Sequence, residues 1–144
     1  MPKYKFYVVI LILGIFALLG GACTKSALTS GLEDIAWTLE SYGEAGSLQT
    51  VLEGTEITAL FDSTDGQVRG SAGANSYSGS YQISKNEVSI QQIAQTEMYR
   101  LDPEGVMEQE QQYLKALQAA ENFQIQGGKL QISCGGQILI YTAK

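Results

Sequence analysis

Apolar positions along the chain follow four rhythms in turn. An unbroken run of fourteen apolar residues and glycine, Phe6 to Leu19, comes first, and Thr24 to Ser30 is then small and polar with nothing periodic to bury. From Ile35 onward the rhythm is that of short strands: Ile35–Leu39, Glu56–Phe61, Gln67–Ser71, Tyr77–Ile83 and Glu87–Ile93 are β-rich or alternating, and Asp62-Ser63-Thr64-Asp65-Gly66 supplies turn chemistry between two of them. A helical period follows. Val106, Met107, Glu110, Tyr113, Leu114, Leu117 and Ala120 recur at intervals of three and four, a stripe interrupted only by Glu110. Asp102-Pro103-Glu104 before it has a capping carboxylate, a proline suited to the first turn and an acid near the positive end of the dipole, so a helix is expected to start there.

The C-terminus carries the sharpest expectation. Gly127-Gly128 as a two-residue turn sets Ile125 opposite Leu130 and Phe123 opposite Ile132; Gly135-Gly136 sets Ile132 opposite Leu139 and Leu130 opposite Tyr141. Both registers put Phe123, Ile125, Leu130, Ile132, Leu139 and Tyr141 on one buried face, whereas a slip of one residue buries Gln124, Gln126, Gln131 and Ser133. The expected class is α+β, a curled, mainly antiparallel sheet or open barrel with one main α-helix packed against it.

The first rhythm belongs to export. Lys3 and Lys5 precede the apolar run, which at fourteen residues falls short of the about 20 needed to cross a bilayer, so residues 1–22 read as a signal peptide that is removed. The run closes in Leu18-Leu19-Gly20-Gly21-Ala22-Cys23, which resembles the lipobox of bacterial and archaeal lipoproteins, with Gly20 where a leucine is usual. That resemblance implies lipid on Cys23 and anchorage to the cell membrane or outer membrane, with residues 23–31 as tether and 32–144 as an extracytoplasmic domain. The competing reading is an ordinary signal-peptidase cut after Ala22, which leaves Cys23 unacylated.

Charge narrows the partners. Without residues 1–22 the chain keeps seven basic against fifteen acidic side chains, a net charge near −8. Such a surface repels polyphosphate, which argues against nucleic acid and against docking of the domain on anionic lipid. The inventory narrows the chemistry in the same way. There is no histidine, which removes Ser-His-Asp and Cys-His catalysis and histidine-ligated zinc. Cys134 is the only thiol beyond Cys23, and as a strand residue it reads as a small hydrophobe, with pairing between molecules as the alternative. No carboxylate pair stands out: Glu108 and Glu110 do not face each other on a helix, and Asp62 and Asp65 are turn residues. The runs Gln91-Gln92 and Glu108-Gln109-Glu110-Gln111-Gln112 read as solvated faces. The expectation is a protein that is not an enzyme and needs neither metal nor cofactor.

The most distinctive stretch is Gly70-Ser71-Ala72-Gly73-Ala74-Asn75-Ser76-Tyr77-Ser78-Gly79-Ser80-Tyr81, where Gly73 with Asn75 suits a bulge or tight bend and Gly79 leaves room between Tyr77 and Tyr81. With Trp37-Thr38-Leu39 before it, and Thr96-Glu97-Met98, Gln109-Glu110, Tyr113-Leu114, Leu117 and the C-terminal hairpins after it, the chain resembles the META domain of HslJ-like proteins over about residues 32 to 142. The resemblance makes Trp37, Gly70, Gly73, Asn75, Tyr77, Gly79, Tyr81, Thr96, Met98 and Glu110 family positions of a structural kind, and it supplies no catalytic residue. Two family cysteines fall on Ala74 and Arg100 here. If the family joins them as a disulfide, this copy is bridge-free and no redox role carries over. The resemblance implies an envelope-associated module of stress and antibiotic tolerance, acting on an envelope protein or ligand the sequence does not identify, with the Gly73–Tyr81 strand as contact surface or as core. The alternative function is inhibition of a secreted protease or cell-wall hydrolase.

Overall fold

The computed structural model describes residues 31–144; the leader, Cys23 and the tether up to Ser30 lie outside the described residues. Nine strands and one helix follow in the order β1 (Ala36–Glu44), β2 (Ser47–Thr50), β3 (Thr58–Asp62), β4 (Gln67–Ser71), β5 (Ser76–Ser84), β6 (Glu87–Gln95), α1 (Val106–Gln118), β7 (Asn122–Gln126), β8 (Lys129–Cys134) and β9 (Gln137–Ala143). Every strand pairs antiparallel with its neighbours, and β1 also pairs with β9, so that β1 and β3 to β9 close an eight-stranded barrel while β2 folds back on β1 alone. The class is α+β, and the sheet is closed rather than open.

Alternation explains the strands. Trp37 and Leu39 point inward from β1, and a bulge between Leu39 and Ser41 shifts the phase by one so that Tyr42 points inward too. The C-terminal registers are those expected: Phe123 opposes Ile132, Ile125 opposes Leu130, Ile132 opposes Leu139 and Leu130 opposes Tyr141. Five of those six side chains are buried and Ile125 is half-buried at the margin. The seam between β6 and β7 is the thinnest, a single pair Glu87 with Asn122, and beyond it α1 packs against β6, β8 and β9.

Several boundaries differ from expectation, and β6 runs on to Gln95 rather than stopping at Ile93. β1 continues to Glu44 because its second half finds partners in both β2 and β9, and β2, whose four residues are all exposed, has no apolar signature to announce it. β3 starts at Thr58 rather than Glu56, after an isolated bridge between Ile57 and Ala72. The helix starts at Val106, not at Pro103. The Asp102-Pro103 peptide is cis, and Gly105 at φ 86° occupies the cap position in a conformation that favours glycine. Asp102 therefore caps nothing; its carbonyl accepts from the Arg100 guanidinium at 3.1 Å.

Candidate functional site

Helix α1 presents two polar side chains to the protein interior. Gln109 and Glu110 are among the most buried residues in the molecule, Glu110 at 1 % exposure, which overturns the reading of Glu108 to Gln112 as a solvated face. Glu108, Gln111 and Gln112 do face solvent. The phase of the helix requires the difference: Glu110 shares its stripe with Val106, Tyr113 and Leu117.

Burying a carboxylate is costly unless its lone pairs are used, and here they are. Glu110 Oε2 accepts from the Asn75 amide at 2.6 Å and the Ala74 amide at 3.1 Å, and Oε1 accepts from Asn75 Nδ2 at 2.7 Å. Asn75 passes the link on. Its Nδ2 also donates to the Met98 carbonyl at 3.0 Å, while its Oδ1 accepts from the Met98 amide at 2.6 Å and Thr96 Oγ1 at 2.9 Å. Gln109 holds a further segment, with Oε1 accepting from the Leu52 amide at 2.7 Å and Nε2 donating to Thr55 Oγ1 at 3.0 Å. One helical turn thus ties together the β2–β3 connection, the bend between β4 and β5, and the segment after β6.

Gly73, at φ 110°, makes that bend, and a Cβ there would come within 3.4 Å of Gln109 Nε2. Arg100 Nη1 donates to the Gly73 carbonyl at 3.1 Å. Arg100 thus ties the segment after β6 to the β4–β5 bend at Gly73, while the neighbouring Ala74 amide is held by Glu110.

The remaining family positions build the barrel. Trp37 is buried and its indole donates to the Leu32 carbonyl at 2.9 Å. Gly70 lies where a Cβ would stand 2.0 Å from the Thr58 carbonyl oxygen, so the β3–β4 crossing demands glycine. Gly79 is needed by the bulge at Gln92 on β6, since its Cβ would meet Gln91 O at 3.0 Å. Both tyrosines are core residues, at 3 % and 8 % exposure, which removes them as contact groups. Tyr81 packs edge-on against Phe61 and donates to Glu33 Oε1 at 2.7 Å. Tyr77 joins a buried chain: Tyr141 donates to Tyr113 at 3.2 Å, Tyr113 and Tyr77 are 2.8 Å apart, and Tyr77 donates to the Thr58 carbonyl at 2.9 Å. Because the Tyr77 proton goes to Thr58, the proton between the pair comes from Tyr113. Burial drives the pKa of all three well up, and it pushes the Cys134 thiol to about 12, making it an inert core sulfur.

What the network holds out to solvent is apolar. Met98 is 57 % exposed, Tyr99 77 % and Leu101 78 %, in a segment whose two ends are fixed by Asn75 and Arg100. Sequence reasoning picked out Met98 only as a motif residue and passed over Tyr99 and Leu101; the signal was an apolar triplet lying outside both the strand and the helix rhythm. A cleft of about 540 Å³ lies elsewhere, between the end of β1, β2 and α1, lined among others by Tyr42, Ser47, Gln49, Lys115 and Cys134. Among the described residues no group of three or more acidic, histidine or cysteine side chains is placed to hold a metal.

A closed antiparallel barrel clasped by a helix through a buried Glu–Asn pair defines a class of small β-barrel domain. The family model of the META domain matches residues 30–144, and the chain belongs to that family. Solved structures agree in fold. A protein from Burkholderia xenovorans is 25% identical with a TM-score of 0.65, over 81% of this chain and 86% of that one. A DUF4847 family protein from Bacteroides vulgatus, 14% identical over 77% and 93% of the two chains, has a TM-score of 0.57. None of the curated proteins matches the chain.

Proposed function

We propose that this chain is an exported lipoprotein, held at a membrane surface through Cys23, whose META domain is a non-catalytic binding module of envelope maintenance or stress tolerance. One observation carries the binding part. The polar groups of the family motif are spent on holding a loop in shape, and that loop offers three exposed apolar side chains where a soluble surface would have polar ones. The signal-like leader and the cysteine at its end support the anchor. The protruding loop also favours the second reading, in which the domain blocks a secreted protease or cell-wall hydrolase.

Cys23→Ser tests the anchored reading. The variant is expected to leave the membrane fraction and lose the envelope phenotype of the wild-type gene while keeping its melting temperature; full activity of the released domain would contradict it. For the inhibitor reading, purified protein is assayed against a panel of proteases and muramidases, and uniform lack of inhibition removes it.

A further inference from the structure

Leu48, Met98, Tyr99 and Leu101 are the exposed large apolar side chains among the described residues, and three of the four fall within four consecutive positions. We infer that Met98, Tyr99 and Leu101 form a pre-shaped finger that docks into an apolar pocket, rimmed by Lys and Arg, on a partner protein. The inference rests on the reading of the domain as a binding module and names the partner's chemistry.

Shape comes first. Asn75 fixes the Met98 backbone through both its amide and its carbonyl, and Glu110 fixes Asn75 in turn. Arg100 turns back onto the Gly73 and Asp102 carbonyls. The tip is therefore ordered before any partner arrives, which lowers the entropic cost of docking. Tyr, Met and Leu are also large enough to fill a desolvated pocket, and aromatic residues and Met are enriched at the centres of interfaces.

Charge selects the occupant. Glu97, Asp102 and Glu104 flank the finger and are exposed, and Arg100, the single cation from Thr96 to Glu108, is committed to backbone carbonyls. Residues 31–144 as a whole carry six basic against fifteen acidic side chains. An acidic rim is attracted to a basic one, and it disfavours both an anionic bilayer and a second copy presenting the same rim. Position agrees. Asp34, at the entry to the barrel, accepts from Ser63 in the β3–β4 turn, whereas the finger is tied to the β4–β5 bend, so chain entry and finger lie at opposite ends of β4.

The test uses the full chain in its native cell, with a photo-crosslinking amino acid placed singly at Met98, Tyr99, Leu101 and, at the far end of β7, Gln126. The expected result is one protein adduct of discrete mass from positions 98, 99 and 101 and none from 126. Its yield should fall about tenfold or more in Glu97→Lys/Glu104→Lys, which sets like charges against the partner's rim, and stay unchanged in Glu87→Lys. Tyr99→Ser/Leu101→Ser should abolish the adduct formed from position 98 without lowering the melting temperature. Phospholipid adducts, adducts of twice the chain's own mass, or yields indifferent to the charge reversal would overturn the inference. Adducts forming only from other faces overturn the finger and leave the binding module standing; adducts from no position across the surface would remove both.

Discussion

A carboxylate in the apolar stripe of a helix must be either a mistake or a clasp, and Glu110 is a clasp because three donors meet its two oxygens. Glu110→Ala should cost about 3 kcal/mol by leaving the Ala74 and Asn75 amides buried without acceptors, and Glu110→Gln nearly as much, because its NH2 cannot accept. Chemical denaturation measures both. An effect within a few tenths of a kcal/mol would mean that the carboxylate is not the partner of Asn75. The tyrosine chain allows a sharper comparison. Tyr113→Phe strands the Tyr141 hydroxyl without an acceptor and should cost about 2 kcal/mol, whereas Tyr141→Phe only removes the end of the chain and should cost about 1 kcal/mol. The reverse order would contradict the direction of donation.

At the scale of elements, helix α1 does more than cover the barrel: its first turns fasten three connections, two directly and the segment after β6 through Asn75. In hydrogen exchange, Asn75→Ala should lose protection at the Met98 amide and through residues 96–102, with β8 and β9 unchanged. Unchanged protection in 96–102 would show that the loop is held by something else. Much of this scale was legible in the sequence. The two Gly-Gly turns set three strands in register because a one-residue slip exchanges Leu and Ile for Gln and Ser. The family positions Asn75, Thr96, Met98 and Glu110 were legible as a set, though not as a network, since nothing local says that a glutamate at position 110 reaches a bend 35 residues earlier. Its phase in the helical stripe was the available signal, and the surrounding glutamines masked it. β2 left no trace because all four of its residues are exposed, and the helix start was misplaced because Asp-Pro-Glu has good capping chemistry that a turn through Gly105 overrides.

For the whole molecule, the buried acids of the barrel set its alkaline limit. Cys134 and the three tyrosines all hold their protons more tightly when folded than when exposed. Their stabilising effect is complete below the unfolded values, about 8.5 for the thiol and 10 for the phenols, and is lost as pH rises towards the folded ones. The melting temperature should be level from pH 7 to about 8.5 and decline beyond it, less steeply in Tyr141→Phe; a level profile through pH 11 would contradict this burial. The chain enters at one end of β4 and the apolar finger is presented at the other, so that under the proposed function a domain held at a membrane surface would reach a partner away from it. That arrangement has its meaning only if the chain is anchored. The intact mass of the protein extracted from membranes is the direct measurement. The account predicts a chain that begins at Cys23 and carries the added mass of two or three acyl groups; a Cys23 terminus without acyl mass, or a chain that retains residues 1–22, would contradict it.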